Sequence, residues 1–228
     1  MWPLVATLSD ADRAVVLAAT RLRRFGRDEV LVHEGDPSDS LHLVESGRLA
    51  VRVSTEDGGR VLLNVLGPGS HFGELSLVAG GERRRTATVV ALEPSATRTL
   101  SASAFADLRR RRPETMAFLL AALAQRVEEL SVRLVESTYD SLDRRVCSRL
   151  AQLVEVYAEG PGPVAVPLTQ DLIAELTGGT RPSVNQALQR LARRGVVELA
   201  RGRVTVIDRD RLAARARLPR DLHGRAPA

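Results

Sequence analysis

Apolar and polar positions along the chain change period several times, and each change marks an element. Residues 9–20 (SDADRAVVLAAT) predict a short helix, with Ser9 as N-cap and Asp10 and Asp12 in the first turn. From about 21 to 100 the pattern turns to short β-rich runs at 30–33, 41–44, 48–53, 61–66, 86–92 and 96–100. Gly, Pro, Asp and Ser punctuate them at Gly35-Asp36-Pro37, Gly47, Asp57-Gly58-Gly59 and Gly67-Pro68-Gly69. Such spacing predicts an antiparallel sandwich or jelly roll, with Asp57-Gly58 turning a hairpin. One long helix then opens near Pro113. Along it Met116, Leu120, Leu123, Val127, Leu130 and Leu134 recur at intervals of four and three. A stripe at this period packs either on its own domain or on a second helix; the strict heptad favours a two-helix dimer seam with C2 symmetry.

Residues 137–145 break the period and predict a hinge. A helix over 144–159 follows, stopped by Gly160-Pro161-Gly162-Pro163. Beyond the stop, a short helix from Gln170, capped by Thr169, gives way at Thr177-Gly178-Gly179. A second helix starts after Thr180 with Pro182 in its first turn. Two short helices across a Gly turn predict a helix-turn-helix, with the ordinary helical hairpin as the alternative. Residues 196–199 and 203–207, on either side of Arg201-Gly202, predict a two-stranded wing. In such a motif the start of the second helix enters the major groove. There Arg181, Ser183, Asn185, Gln186 and Gln189 are the base-reading candidates. Arg190, Arg193, Arg194, Arg201 and Arg203 are phosphate-contact candidates, with a solvated role as the alternative for each.

Composition narrows the class. The chain has 228 residues, 44% of them hydrophobic but only 3% aromatic, so aliphatic side chains fill the core. All 33 basic residues are Arg, which weakens Arg abundance as a sign of binding; the net charge of +5 is concentrated toward the C-terminus and suits a polyanion. The lone Cys147 excludes a disulfide framework and all-cysteine iron–sulfur ligation within one chain. His33, His42, His71 and His223 are too scattered for a metal motif or a haem site, and a surface role is expected for His71. With no long apolar run and no signal peptide, a soluble cytoplasmic protein without membrane association is expected.

The densest chemistry lies in Pro68-Gly69-Ser70-His71-Phe72-Gly73-Glu74-Leu75-Ser76-Leu77 and the following Arg83-Arg84-Arg85-Thr86-Ala87. A guanidinium and a hydroxyl suit phosphate oxygens, a carboxylate suits a sugar hydroxyl, and a glycine lets the backbone come close. The alternative is a bulged turn beside a solvated Arg run. This stretch resembles the phosphate-binding cassette of the cyclic-AMP receptor protein / fumarate-nitrate regulator family. Thr180-Arg181-Pro182-Ser183-Val184 resembles that family's recognition helix, where Ser-Arg-Glu-Thr-Val is usual. The likeness runs from about residue 30 to 211.

The resemblance implies an α+β chain in three parts. Residues 1–112 form an antiparallel β-roll of jelly-roll type, 113–140 a dimerisation helix and hinge, and 141–228 a winged helix-turn-helix. From the lone cysteine and the scattered histidines, no enzyme, metal, iron–sulfur cluster or haem is expected. A cyclic nucleotide, cyclic AMP first, would be held by Gly73, Glu74, Leu75, Arg85 and Thr86, with Glu74 on the 2′-hydroxyl and Arg85-Thr86 on the cyclic phosphate. Without ligand, Glu74 is expected to pair with Arg85. Arg83 and Arg84 are either extra phosphate contacts or solvated.

Two departures matter. Leu130 and Ser131 occupy the positions of the family's Thr-Ser base contact, and Leu130 cannot bond an adenine amine. A stiffer seam and a larger DNA-competent population before ligand binding are expected from it. Pro182 replaces the family's cytosine-reading Glu, so an inverted repeat of different sequence is expected. Partners implied are double-stranded DNA, a second copy of the chain and RNA polymerase. Two alternatives stay open: DNA binding that is constitutive or gated by another ligand, and, remotely, a metal-dependent β-barrel enzyme.

Overall fold

In the computed structural model, which describes residues 2–6, 8–55, 58–78 and 83–216, the chain packs as two compact units, Met1–Glu129 and Leu130–Ala228. The first begins with α1 (Pro3–Ala6) and α2 (Asp10–Ala18). Ser9 caps α2, its Oγ accepting from the Asp12 N–H at 3.2 Å, as the sequence predicts. Eight strands follow: β1 (Arg21–Phe25), β2 (Val30–Val32), β3 (Ser40–Ser46), β4 (Leu49–Ser54), β5 (Arg60–Leu66), β6 (His71–Phe72), β7 (Thr88–Ala91) and β8 (Ser95–Ser101). They pair antiparallel in two sheets, ordered β1-β8-β3-β6 and β2-β7-β4-β5. Successive strands change sheet repeatedly, which makes a β-roll. Phe25, Leu31, Val44, Leu49, Phe72 and Val89 fill the space inside it. Gly58 turns the β4–β5 hairpin with φ of 76°, a value only glycine adopts easily; Asp57 lies outside the described residues.

After β8 come α3 (Ala102–Arg111), a 3-10 turn (Pro113–Thr115) and α4 (Met116–Tyr139). The long helix therefore starts three residues later than Pro113 suggested. A second apolar cluster joins Leu41, Leu43 and Leu100 of the roll to Phe105 and Phe118 of the helices. The two Phe rings lie 6.2 Å apart, and burying each contributes about 1.5–3 kcal/mol. Met116 and Leu123 are half-buried against this cluster. Leu120, Val127, Leu130 and Leu134 are exposed, and they are the members of the heptad stripe left without a covering on their own units.

The second unit contains α5 (Leu142–Tyr157), β9 (Val164–Val166), α6 (Gln170–Thr177), α7 (Arg181–Arg193), β10 (Val197–Ala200), β11 (Arg203–Val206) and α8 (Arg209–Ala216). The expected hinge over 137–145 shrinks to Asp140 and Ser141, because Ser141 caps α5 by accepting from the Arg144 N–H at 3.4 Å. The end of α4 is fixed on α5 by a buried pair, Arg149 donating to Glu136 at 2.5 Å. The wing is a three-stranded sheet, β10-β11-β9, since 164–166 pairs with β11 directly after the Gly-Pro stop. Cys147 is buried in α5, and burial pushes its thiol pKa up to about 11, so it is protonated and inert.

Candidate functional site

A cavity of about 420 Å³ opens in the first unit, within the ordinary size range for small-molecule sites. One wall is the turn after β6. Gly73, with φ of 83° and ψ of 18°, starts a 3-10 turn over Glu74–Leu77. A Cβ there would stand 2.6 Å from the Ser40 carbonyl oxygen and against Arg85 Nη1. Glycine is required twice, by the left-handed backbone and by the close approach of Arg85. Glu74 is buried at the mouth of the turn; Leu75 is partly exposed on it. Both line the cavity together with Arg85 and Thr86, so every expected ligand residue of the roll is brought to one place.

Arg85 is 6% exposed. Its Nη1 donates to the Ser40 carbonyl at 2.8 Å, its Nη2 to the Ser40 hydroxyl at 3.0 Å, and Asp39 lies at 3.5 Å. The expected pairing with Glu74 is not formed: Asp39 and Ser40, at the start of β3, hold the guanidinium instead. Arg85 Nε is buried, with no hydrogen-bond partner among the described residues. Burial pulls the pKa of Arg85 down, while Asp39, Asp36 and Glu74 oppose the shift. The site is therefore a desolvated cation with its Nε donor unspent, beside a carboxylate, in a cavity. An anionic group satisfies it. Of the neighbouring arginines, Arg84 lines the cavity and donates to the Gly35 carbonyl at 2.9 Å, while Arg83 is exposed.

One histidine departs from its sequence reading, and a second proves to be buried. His71 is a half-buried wall of the cavity rather than a surface residue; burial lowers its pKa, opposed by Glu74 and Glu129. His42 is buried in β3, stacked on Phe72 at 4.6 Å, with Nδ1 3.1 Å from Thr97 Oγ1. Burial, with Arg85 and Arg23, lowers its pKa to about 3. His223 lies outside the described residues. Among the described residues no cluster of His, Cys, Asp and Glu could hold a metal ion, and no helix is long and apolar enough to cross a membrane.

The helical wall of the cavity is Ala122, Gln125, Arg126 and Glu129. The sequence reading missed these residues, although Gln125 and Glu129, four apart, with Arg126 beside them, make a legible polar patch next to the apolar stripe. Leu130, half-exposed, and Ser131 follow on the same helix in the second unit.

In the second unit, Thr169 caps α6 by accepting from Leu172 N–H at 3.3 Å, and Thr180 caps α7 by accepting from Ser183 N–H at 3.4 Å. Gly178 closes α6 in the left-handed region, and Arg145 Nε donates to the Thr177 carbonyl at 3.1 Å, satisfying the helix end. A Cβ on Gly179 would meet Leu142 Cδ1 at 2.7 Å, so the turn packs closely on α5. Val184, Ala187, Leu188 and Leu191 bury one face of α7. Arg181, Gln186 and Gln189 are exposed on the other, with Asn185 and Ser183 half-buried; Arg201 is exposed at the wing turn. Among the described residues, Arg181 has Asp171 at 3.4 Å. Arg190, in contrast, is engaged in a two-point pair with Asp143 of α5. That pair links α7 to α5.

Comparison with known proteins agrees with both halves. Residues 22–112 match the cyclic nucleotide-binding domain, and 144–215 match the Crp-like helix-turn-helix domain. A CRP-like cAMP-activated global transcriptional regulator of Mycobacterium tuberculosis is 35% identical over 198 residues, covering 85% of this chain and 87% of the relative. The catabolite activator protein of Thermus thermophilus is similar in structure at a TM-score of 0.54 and 30% identity, covering 94% of this chain and 98% of its own. A CRP/FNR-family transcriptional regulator of the same organism shares the fold at a TM-score of 0.73, 24% identity and coverage of 86% and 98%.

Proposed function

The chain belongs to the CRP/FNR family of transcription regulators, and from that premise we propose a homodimer whose binding to DNA is controlled by a cyclic nucleotide held in the β-roll. Residues 1–112 sense, 113–140 dimerise, and 141–228 read DNA, in the reducing cytoplasm and in contact with RNA polymerase. Cyclic AMP is the first nucleotide to consider, because the similar regulator of Mycobacterium tuberculosis is described as cAMP-activated.

The observation that carries this reading is Arg85, buried in the cavity wall with its Nε unpartnered among the described residues. A cyclic phosphate offers the missing acceptor, Thr86 adds a hydroxyl, and Glu74 suits a ribose hydroxyl. Leu120, Val127, Leu130 and Leu134, exposed at heptad spacing, support the dimer seam. A symmetric dimer would present two copies of α7 to successive major grooves about 34 Å apart, over an inverted repeat. Arg181 reads guanine there, with Ser183, Asn185, Gln186 and Gln189 beside it, and Thr169 and Arg201 meet phosphates. Titration calorimetry with cyclic AMP and cyclic GMP, with Arg85→Ala as control, tests the sensor; micromolar binding lost in the variant is expected.

A constitutive binder is the second reading, favoured by Leu130, which extends the apolar seam. Leu130→Thr should then lower DNA affinity in the absence of nucleotide, and unchanged affinity would remove that reading.

A further inference from the structure

The cavity has two polar ends, and only one is accounted for by a phosphate and a sugar. The other lies on α4, where Gln125, Arg126 and Glu129 line it. Glu129 is partly exposed to it, with Gln125 Nε2 donating to Oε1 at 3.1 Å and Arg126 Nη1 at 3.4 Å from Oε2. A carboxylate carries about four acceptor positions, so capacity remains on both oxygens. His71 stands within electrostatic reach of Glu74 at the sugar end and of Glu129 and Arg126 at the helix end. The lining also includes Val32, Val51, Leu63 and Val89, apolar side chains suited to the faces of a base.

This arrangement resolves the difficulty posed by Leu130, whose hydrocarbon side chain accepts no hydrogen bond. We propose that the base is read by Glu129: its carboxylate accepts from the exocyclic amine of adenine while Arg126 donates to an adjacent ring nitrogen. The inference rests on the cyclic-nucleotide reading of the cavity and adds its specificity-determining residue. The chemistry is directional. A carboxylate only accepts, so it favours the amine at purine position 6 and repels the oxygen that hypoxanthine carries there. A hydrogen bond to a charged group inside a partly desolvated cavity is among the stronger ones, and losing it leaves the carboxylate with only its Gln125 and Arg126 contacts.

The test is calorimetric titration of the full chain with three ligands: cyclic AMP, the 3′,5′-cyclic monophosphate of purine riboside, which lacks the amine, and cyclic IMP. Wild type should bind cyclic AMP on the order of 10–100-fold more tightly than the amine-free analogue, with cyclic IMP weakest. In Glu129→Leu the first two should come within about threefold of each other, while both still bind through Arg85; Glu129→Gln, a neutral acceptor, should retain part of the preference. Arg85→Ala should weaken all three alike. A general loss of structure moves every affinity together and leaves the ratio, so the ratio reports base reading alone. Equal wild-type binding of cyclic AMP and the amine-free analogue overturns the proposal, and so does a preference that survives Glu129→Leu or cyclic GMP binding tighter than cyclic AMP. If no nucleotide binds wild type, the cyclic-nucleotide reading itself falls and takes this inference with it.

Discussion

Arg85 and Arg181 are the same side chain in opposite surroundings. Arg85 is 6% exposed and locked by the Ser40 carbonyl and hydroxyl, whereas the Arg181 side chain is 67% exposed with a long contact to Asp171. The β-roll site is organised before its ligand arrives; the face of α7 is solvated and must order its side chains on binding. Arg85, proposed to hold the nucleotide, is therefore part of the fold, and Arg181, proposed to read DNA, is dispensable to it.

The sharpest way to break this contrast is Arg181→Ala. A bidentate Arg–guanine contact contributes about 1–3 kcal/mol of discrimination, so the proposed dimer, reading two half-sites, should lose about 2–6 kcal/mol of specific affinity. Thermal stability should stay at the wild-type value. Fluorescence anisotropy with operator DNA, beside a melting curve, checks both; a lower melting temperature would mean that Arg181 holds the fold after all. The next largest effect belongs to the buried side. Gly73→Ala forces a Cβ to within 2.6 Å of the Ser40 carbonyl at a φ of 83°. Left-handed strain and overpacking together should cost about 3 kcal/mol of stability, and displacing Arg85 should weaken nucleotide binding at least roughly tenfold. Urea titration and calorimetry read the two losses; wild-type values in both would show that Arg85 is not pinned by this turn.

His42 extends the contrast to pH. Its folded pKa of about 3 lies below the ordinary 6.5, so the folded state rejects a proton that the unfolded chain accepts. The stability this represents is complete above pH 6.5 and is lost as pH falls through the window from 6.5 toward 3. At about 1.4 kcal/mol per unit, moving from pH 7 to pH 5 should cost about 2 kcal/mol. His42→Gln should remove that component of the slope, and parallel curves for variant and wild type would contradict the assignment. No such component is expected from the second unit, where no described residue is a histidine.

The sequence was most legible where a short set of residue types satisfies a local rule. Caps at Ser9 and Thr169, the Gly178 stop and the apolar face of α7 all read directly. It misled where tertiary pairing overrides composition. The run RLRRF gives no strand signal, yet β1 forms because its backbone pairs with β8 at a sheet edge, which leaves the arginines in solvent. The cassette residues were identifiable, but the partner of Arg85 was not, since Asp39 and Ser40 lie 46 and 45 positions away in sequence and meet it only through folding. The same holds for α4. Its apolar stripe drew attention, although Met116 and Leu123 are half-buried on the core, and the adjacent polar patch acquires meaning only once a cavity lies in front of it.

The smallest expected effect isolates what surroundings add to backbone strain. Gly178 shares the left-handed conformation of Gly73, with φ of 63°, but a Cβ there would meet nothing within 4 Å. Gly178→Ala should therefore register strain alone, about 1 kcal/mol by urea titration, with unchanged operator affinity. A loss as large as that of Gly73→Ala would mean that the turn between α6 and α7 tolerates no backbone adjustment. A negligible loss would mean that it relaxes freely, and that the solvated character of the DNA-reading face extends from its side chains into its backbone.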